Sequence, residues 1–146
     1  MGSRWGCPLR PRPEPRPLWH DRGVIVGVGV DVVEIDRFAA SLARRPRLAE
    51  RCFTPDEAAY CSSRAYPSQH FAARFAAKEA VGKALGIGMT RWREVEVVRG
   101  RGAPTVRLHG RYAARAEELG VSRIHISLTH GRDSAIAYAV AEAPGG

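Results

Sequence analysis

Phe71-Ala72-Ala73-Arg74-Phe75-Ala76-Ala77-Lys78-Glu79-Ala80-Val81-Gly82-Lys83-Ala84-Leu85-Gly86 reads as one long helix. It is expected to start near Gln69 and to end at Gly86. At about 100° per residue, Phe71, Phe75, Gly82 and Leu85 share a face, and Glu79 lies about 40° from Phe75 on the same side. A carboxylate at the edge of an apolar stripe is costly unless a cation or metal satisfies it. Arg74, Lys78 and Lys83 are the basic side chains within reach. The helix therefore carries chemistry on its packing side.

Upstream, Thr54-Pro55-Asp56-Glu57 is a strong helix start. Thr54 can cap, Pro55 suits the first turn and Glu57 can reach back as a capping box, predicting a helix to about Ser62. Before it, Asp36 to Arg45 predicts a short helix that stops ahead of Pro46. Val24–Val33 is β-branched and nearly continuous, the pattern of a buried strand. Downstream, Glu94–Val98 and Thr105–His109 predict two strands joined by Arg99-Gly100-Arg101-Gly102-Ala103-Pro104. Gly110–Leu119 predicts a helix stopped by Gly120. Ile124, Ile126 and Leu128 alternate with polar residues, and Ile136, Tyr138 and Val140 alternate with alanines. Two more strands follow, joined through His130-Gly131-Arg132-Asp133. Antiparallel strands with helices segregated from them define an α+β domain.

The 146 residues fit one domain with a real core. The chain is 45% hydrophobic and 26% charged, with a net charge of +8, which favours anionic partners. Residues 1–23 are rich in Pro and Arg and are expected to form a disordered, extended tail, or to derive from a start placed too far upstream. The folded domain is expected over residues 24–143. Cys7, Cys52 and Cys61 form no CxxC arrangement, so neither a disulfide scaffold nor a zinc site is expected, and a cytoplasmic setting follows. No apolar run approaches the ~18 residues of a membrane span, and the N-terminus lacks the apolar core of a signal peptide.

Asp31 follows Val26-Gly27-Val28-Gly29-Val30 at the end of the first strand, a place suited either to a divalent cation or to a turn. Val32 stands at the third position of a dinucleotide fingerprint, which excludes a Rossmann reading. Mg2+ takes one or two carboxylates and fills its other positions with water and substrate phosphates, so Asp31 with Glu79 would suffice. Glu79 could instead pair with Lys83 one turn on. Gly82 inside a helix costs about 1 kcal/mol relative to Ala. Close approach of a ligand or a backbone, or a tight helix–strand contact, would each explain it. Gly86-Ile87-Gly88 fits a phosphate-facing loop or an ordinary C-terminal cap. Arg37, Arg44, Arg45 and Arg47 gather on and after the first helix, either as a solvated face or as a dock for an acidic partner.

Gly27-Val28-Gly29-Val30-Asp31-Val32-Val33-Glu34-Ile35 and Arg74 through Gly86 resemble the two signatures of the holo-acyl-carrier-protein synthases, the small phosphopantetheinyl transferases. Phe53-Thr54-Pro55-Asp56-Glu57 and Ile126-Ser127-Leu128-Thr129-His130 are similar to further parts of that family, and the resemblance spans Val24–Glu142. It implies transfer of 4'-phosphopantetheine from coenzyme A to a serine of an apo acyl carrier protein, with release of adenosine 3',5'-bisphosphate. Such a reaction serves fatty acid or polyketide biosynthesis. By the same resemblance Asp31 and Glu79 match Mg2+ ligands and Lys83 matches a lysine near the pyrophosphate. Arg74, Gly86 and His130 match positions near coenzyme A, and the first-helix arginines would meet the carrier protein. A homotrimer with sites between subunits is implied too, and neither a nucleic acid nor a membrane is expected as a partner. Glu79, directly or through a metal-bound water, is the expected base, with Lys83 as the second catalytic residue. Ile87 and Gly82 depart from the family's usual residues.

Two other functions remain open from residues alone. An RNase H-like nuclease would also use a strand aspartate, a later carboxylate and Mg2+, drawing on Asp133 and Glu142, and needs a parallel strand. A basic nucleic-acid-binding module would need interleaved surface aromatics, which are absent.

Overall fold

Strand β1, Val24–Glu34, leads directly into helix α1, Ile35–Arg44. Helix α2 is Pro46–Cys52, α3 is Pro55–Ser62 and α4 is Pro67–Ala84. A 3-10 turn, Trp92–Glu94, then opens β2, Val95–Val98, followed by β3, Thr105–Leu108, α5, Gly110–Glu118, β4, Arg123–His130, and β5, Ser134–Ala143. This computed structural model describes residues 22–145. The expected disordered tail lies almost wholly outside the described residues.

The α+β expectation holds. β1, β5 and β4 form an antiparallel sheet in that order, and β2 pairs with β3 in a separate hairpin. α4 lies on the three-stranded sheet. It is not amphipathic as expected: Ala72, Ala73, Ala76, Ala77, Ala80, Val81, Gly82 and Ala84 are all buried. The sheet meets it with Ala135, Ala137, Ala139 and Ala141 of β5, each 0% exposed. Small side chains on both surfaces bring backbones close, and two glycines take this furthest. A Cβ on Gly27 would lie 1.9 Å from the Ala84 carbonyl oxygen, and one on Gly29 would lie 1.9 Å from that of Ala80.

β1 is therefore an edge strand, not the buried strand its composition predicts. Its glycines face α4, while Val28 and Val32 are 59% and 58% exposed on the other side. Val30 pairs with Tyr138, which is also exposed, so the apolar face continues onto β5. The large residues of β5 point away from α4 and its alanines point in, because only methyl-sized groups fit beneath the helix.

Pro46 ends one helix and begins another. Placed at the first position of α2, it gives up an N–H that has no helical partner there anyway. Pro67 plays the same role for α4, which starts two residues ahead of Gln69. The Thr54 capping box forms as expected, with both reciprocal hydrogen bonds. α4 ends in a Schellman motif. Gly86 has φ +69°, its N–H donates to Lys83 O, and Ile87 N–H donates to Gly82 O. Gly82 itself faces the returning chain: a Cβ there would sit 3.0 Å from Ile87 O and 3.2 Å from Met89 Cε.

Candidate active site

Asp31 lies inside β1, opposite Ala137, rather than at the strand's end. β1's glycines let α4 lie against this strand, so Asp31 and Glu79 line one cleft of about 430 Å³. Val32, Val33, Glu34, Arg37, Phe38, Ser41 and Phe75 complete its wall. Lys83 donates to Asp31 Oδ1 at 3.1 Å and to Val30 O at 2.8 Å. Glu79 pairs with none of the three basic residues near it in sequence. Its Oε1 accepts the indole N–H of Trp92 at 2.9 Å. Burial holds its carboxyl above the ordinary range; the Trp92 hydrogen bond pulls the other way, the nearby Asp31 charge adds to the rise, and Lys83 opposes it.

Lys78, one residue earlier, lies about 100° around α4 and turns into the core. Fully buried, it donates to Glu57 Oε1 at 2.7 Å and to the carbonyls of Trp92 and Val95 at 2.9 and 2.6 Å. Glu57 also accepts from Thr54 N and Val97 N. The capping-box glutamate thus becomes the counter-ion of a buried lysine, a role its local sequence does not reveal.

Arg74 and His130 belong to a second cluster. Arg74 is 5% exposed, and its guanidinium lies 4.1 Å from the Tyr60 ring centroid. Its Nε has no hydrogen-bond partner. Arg64 and Arg99 also face the Tyr60 ring. His70 packs edge-on against Tyr60 and against His130, with centroids at 5.8 and 6.0 Å. Burial, then the charges of Arg64 and Arg74, holds His70 below its ordinary value. Five residues separate Arg74 from Glu79, about 140° around the helix, so the two clusters open in different directions. The Gly86 amide is engaged in the helix cap. Arg44, Arg45 and Arg47 are exposed at the junction of α1 and α2, with only Arg37 lining the cleft.

The nuclease alternative finds no support. The one strand beside β1, β5, is antiparallel to it, and Glu142 contacts His125 at 2.5 Å rather than joining the cleft. Among the described residues, no group of three or more His, Cys, Asp or Glu could hold a metal ion. Asp31 and Glu79 in one cleft, with Glu34 also in its wall, do fit Mg2+, which retains waters and takes phosphate oxygens. No helix among the described residues is long and apolar enough to cross a membrane.

Residues 27–139 match the family model of the 4'-phosphopantetheinyl transferase superfamily. The holo-[acyl-carrier-protein] synthase of Moorella thermoacetica is 50% identical over 117 residues, which cover 78% of this chain and 91% of that protein. The crystal structure of the synthase from Neisseria meningitidis is 31% identical with a TM-score of 0.72, covering 81% of this chain and 98% of that one. That from Bacillus anthracis, in complex with CoA (3',5'-ADP), is 29% identical with a TM-score of 0.66, covering 82% and 97%. The chain belongs to the 4'-phosphopantetheinyl transferase superfamily. Within it, the relatives it matches are holo-[acyl-carrier-protein] synthases.

Local sequence pattern does not single out Trp92, Tyr60 or His70. A lone tryptophan between Arg91 and Arg93 is the one signal that could have drawn attention to the first. For the other two, the contact exists only once α3 and the end of β4 meet α4.

Proposed function

We propose that this protein transfers the 4'-phosphopantetheine arm of coenzyme A to a serine of an apo acyl carrier protein. The observation that carries this reading is the pairing of Asp31 and Glu79 on one cleft, with Lys83 beside them. The serine oxygen forms a bond to the phosphorus that bears the pantetheine arm. The pyrophosphate P–O bond breaks and adenosine 3',5'-bisphosphate leaves. Catalysis of this kind is mostly positioning and charge neutralisation. Asp31 and Glu79 would hold Mg2+, which supplies a Lewis acid for the phosphate oxygens.

Lys83 is 54% exposed in its side chain, so its ammonium remains open to a phosphate while bonded to Asp31. Glu79 takes the serine proton, directly or through a water. Arg37 extends the cleft wall towards the exposed Arg44, Arg45 and Arg47, a basic track for an acidic carrier. The Arg74–His70–His130 cluster would meet a phosphate of the coenzyme, and Gly86 would leave room beside the helix end.

The proposal includes a homotrimer. Val28, Val30, Val32 and Tyr138 form an exposed apolar face on β1 and β5, a feature that marks an association surface. The two clusters face different ways within one chain, so neighbouring copies could complete one another's sites. Buried, unpaired Cys52 and Cys61 fit a reducing, cytoplasmic setting.

The test is intact-mass measurement of several apo carriers incubated with the protein, Mg2+ and coenzyme A. A phosphopantetheine adduct on a serine is expected. No adduct on any carrier would refute the reading.

A further inference from the structure

Trp92 is tied to α4 at both ends by consecutive residues. Its carbonyl accepts from Lys78 Nζ at 2.9 Å, and its indole N–H donates to Glu79 Oε1 at 2.9 Å. Lys78 is anchored in turn by Glu57 at 2.7 Å, with both side chains buried. The indole stacks on Phe75 with centroids 6.1 Å apart and planes 19° apart, and Phe75 packs on Phe38 at 4.7 Å. The backbone and ring of Trp92 are therefore held by contacts other than the one to Glu79.

Glu79 has three rotatable side-chain bonds, and a cleft that must place its carboxylate has to pay for freezing them. A hydrogen bond from a fixed ring donor to one carboxylate oxygen does this while leaving the other oxygen for the cleft. A hydrogen bond to an ionised acceptor is also among the stronger kinds. We propose that Trp92 is a positioning residue: its indole N–H orients the Glu79 carboxylate towards Asp31, and the buried Glu57–Lys78 pair holds Trp92 in place to do so. This inference rests on the reading of Asp31 and Glu79 as the metal-holding pair. Partners that orient metal-ligating groups typically cost about 10–100-fold in metal affinity or activity when removed.

The experiment compares wild-type protein with Trp92→Phe, which keeps an aromatic ring over Phe75 and removes the N–H. A second variant carries benzothienylalanine at position 92, which keeps the bicyclic shape and exchanges only the N–H for sulfur. Transfer kinetics are measured with a purified apo carrier, and Mn2+ affinity is measured separately by electron paramagnetic resonance. Both variants should lose about 10-fold or more in kcat or in Mn2+ affinity, with KM for coenzyme A and for the carrier within about twofold. The benzothienyl variant should melt with the wild type, which separates orientation from packing if Trp92→Phe folds poorly. Wild-type kcat and Mn2+ affinity in the benzothienyl variant would overturn this inference alone. A wild-type protein that neither modifies a carrier nor binds Mn2+ would overturn the underlying reading, and this inference with it.

Discussion

Lys83 and Asp31 meet across the contact between α4 and β1, with the ammonium 3.1 Å from Oδ1. The lysine's exposure makes this pair worth little to stability, since open ion pairs contribute about 0–1 kcal/mol. It does set the place where an incoming phosphate would find a cation. Lys83→Met should lower transfer about 100-fold, the scale of losing one charge-stabilising group, while unfolding in urea stays within about 1 kcal/mol of wild type. Near-normal turnover would remove Lys83 from the site.

The Glu57–Lys78 pair behaves differently because both partners are out of water. Burial pulls the Lys78 ammonium below the lysine range, and Glu57 opposes that. Lys78→Met strands the carboxylate of Glu57 and should cost about 3–5 kcal/mol. Adding Glu57→Gln should recover part of that loss, because the stranded charge disappears. Urea titrations of the two single variants and the double variant give the coupling directly. A single-variant loss under about 1 kcal/mol would contradict the buried-pair account.

His70 gives the fold an acid-side weakness. Its folded proton affinity lies below the ordinary 6.5, so on acidification the unfolded chain takes up the proton first. Stability should fall as pH drops below about 6.5 and level off once the folded ring also protonates; above that it is unaffected. His70→Phe keeps a ring against Tyr60 and removes this slope. Melting temperatures at about pH 7.5 and 5.5 should therefore separate less in the variant. Equal separations would show that His70 does not contribute.

The exposed valine face of β1 is the surface proposed to join copies of the chain. Val30→Asp places a charge opposite Tyr138 on a face that has no role in the chain's own core. Light scattering after gel filtration should find a trimer for wild type and a folded monomer for the variant. A variant that stays trimeric would move the interface elsewhere.

Much of this fold is legible in local pattern. The capping box at Thr54, the stop at Gly86 and the alternation of Ile124, Ile126 and Leu128 all correspond to real elements. What local pattern hides is which side of an element faces the core. β1 and β5 present their larger residues outward because α4 sits too close for anything beyond alanine or glycine. A valine-rich run looks the same whether a helix or another copy of the chain covers it. The carboxylate pair was legible through its unusual positions. Its true hydrogen-bond partner was not, since Trp92 is thirteen residues away and reaches Glu79 only through the return of the chain after Gly88.

The bare backbone at Gly27 and Gly29 has a consequence for how this enzyme can vary. Helix and strand touch there without side chains between them, so that seam works as a spacer of fixed thickness between Asp31 and Glu79. Widening it by one methyl group would leave both acids chemically intact yet set them apart. Two residues with no functional group thereby govern the gauge of the site, and a mutational survey read by phenotype alone would count them among its reactive members.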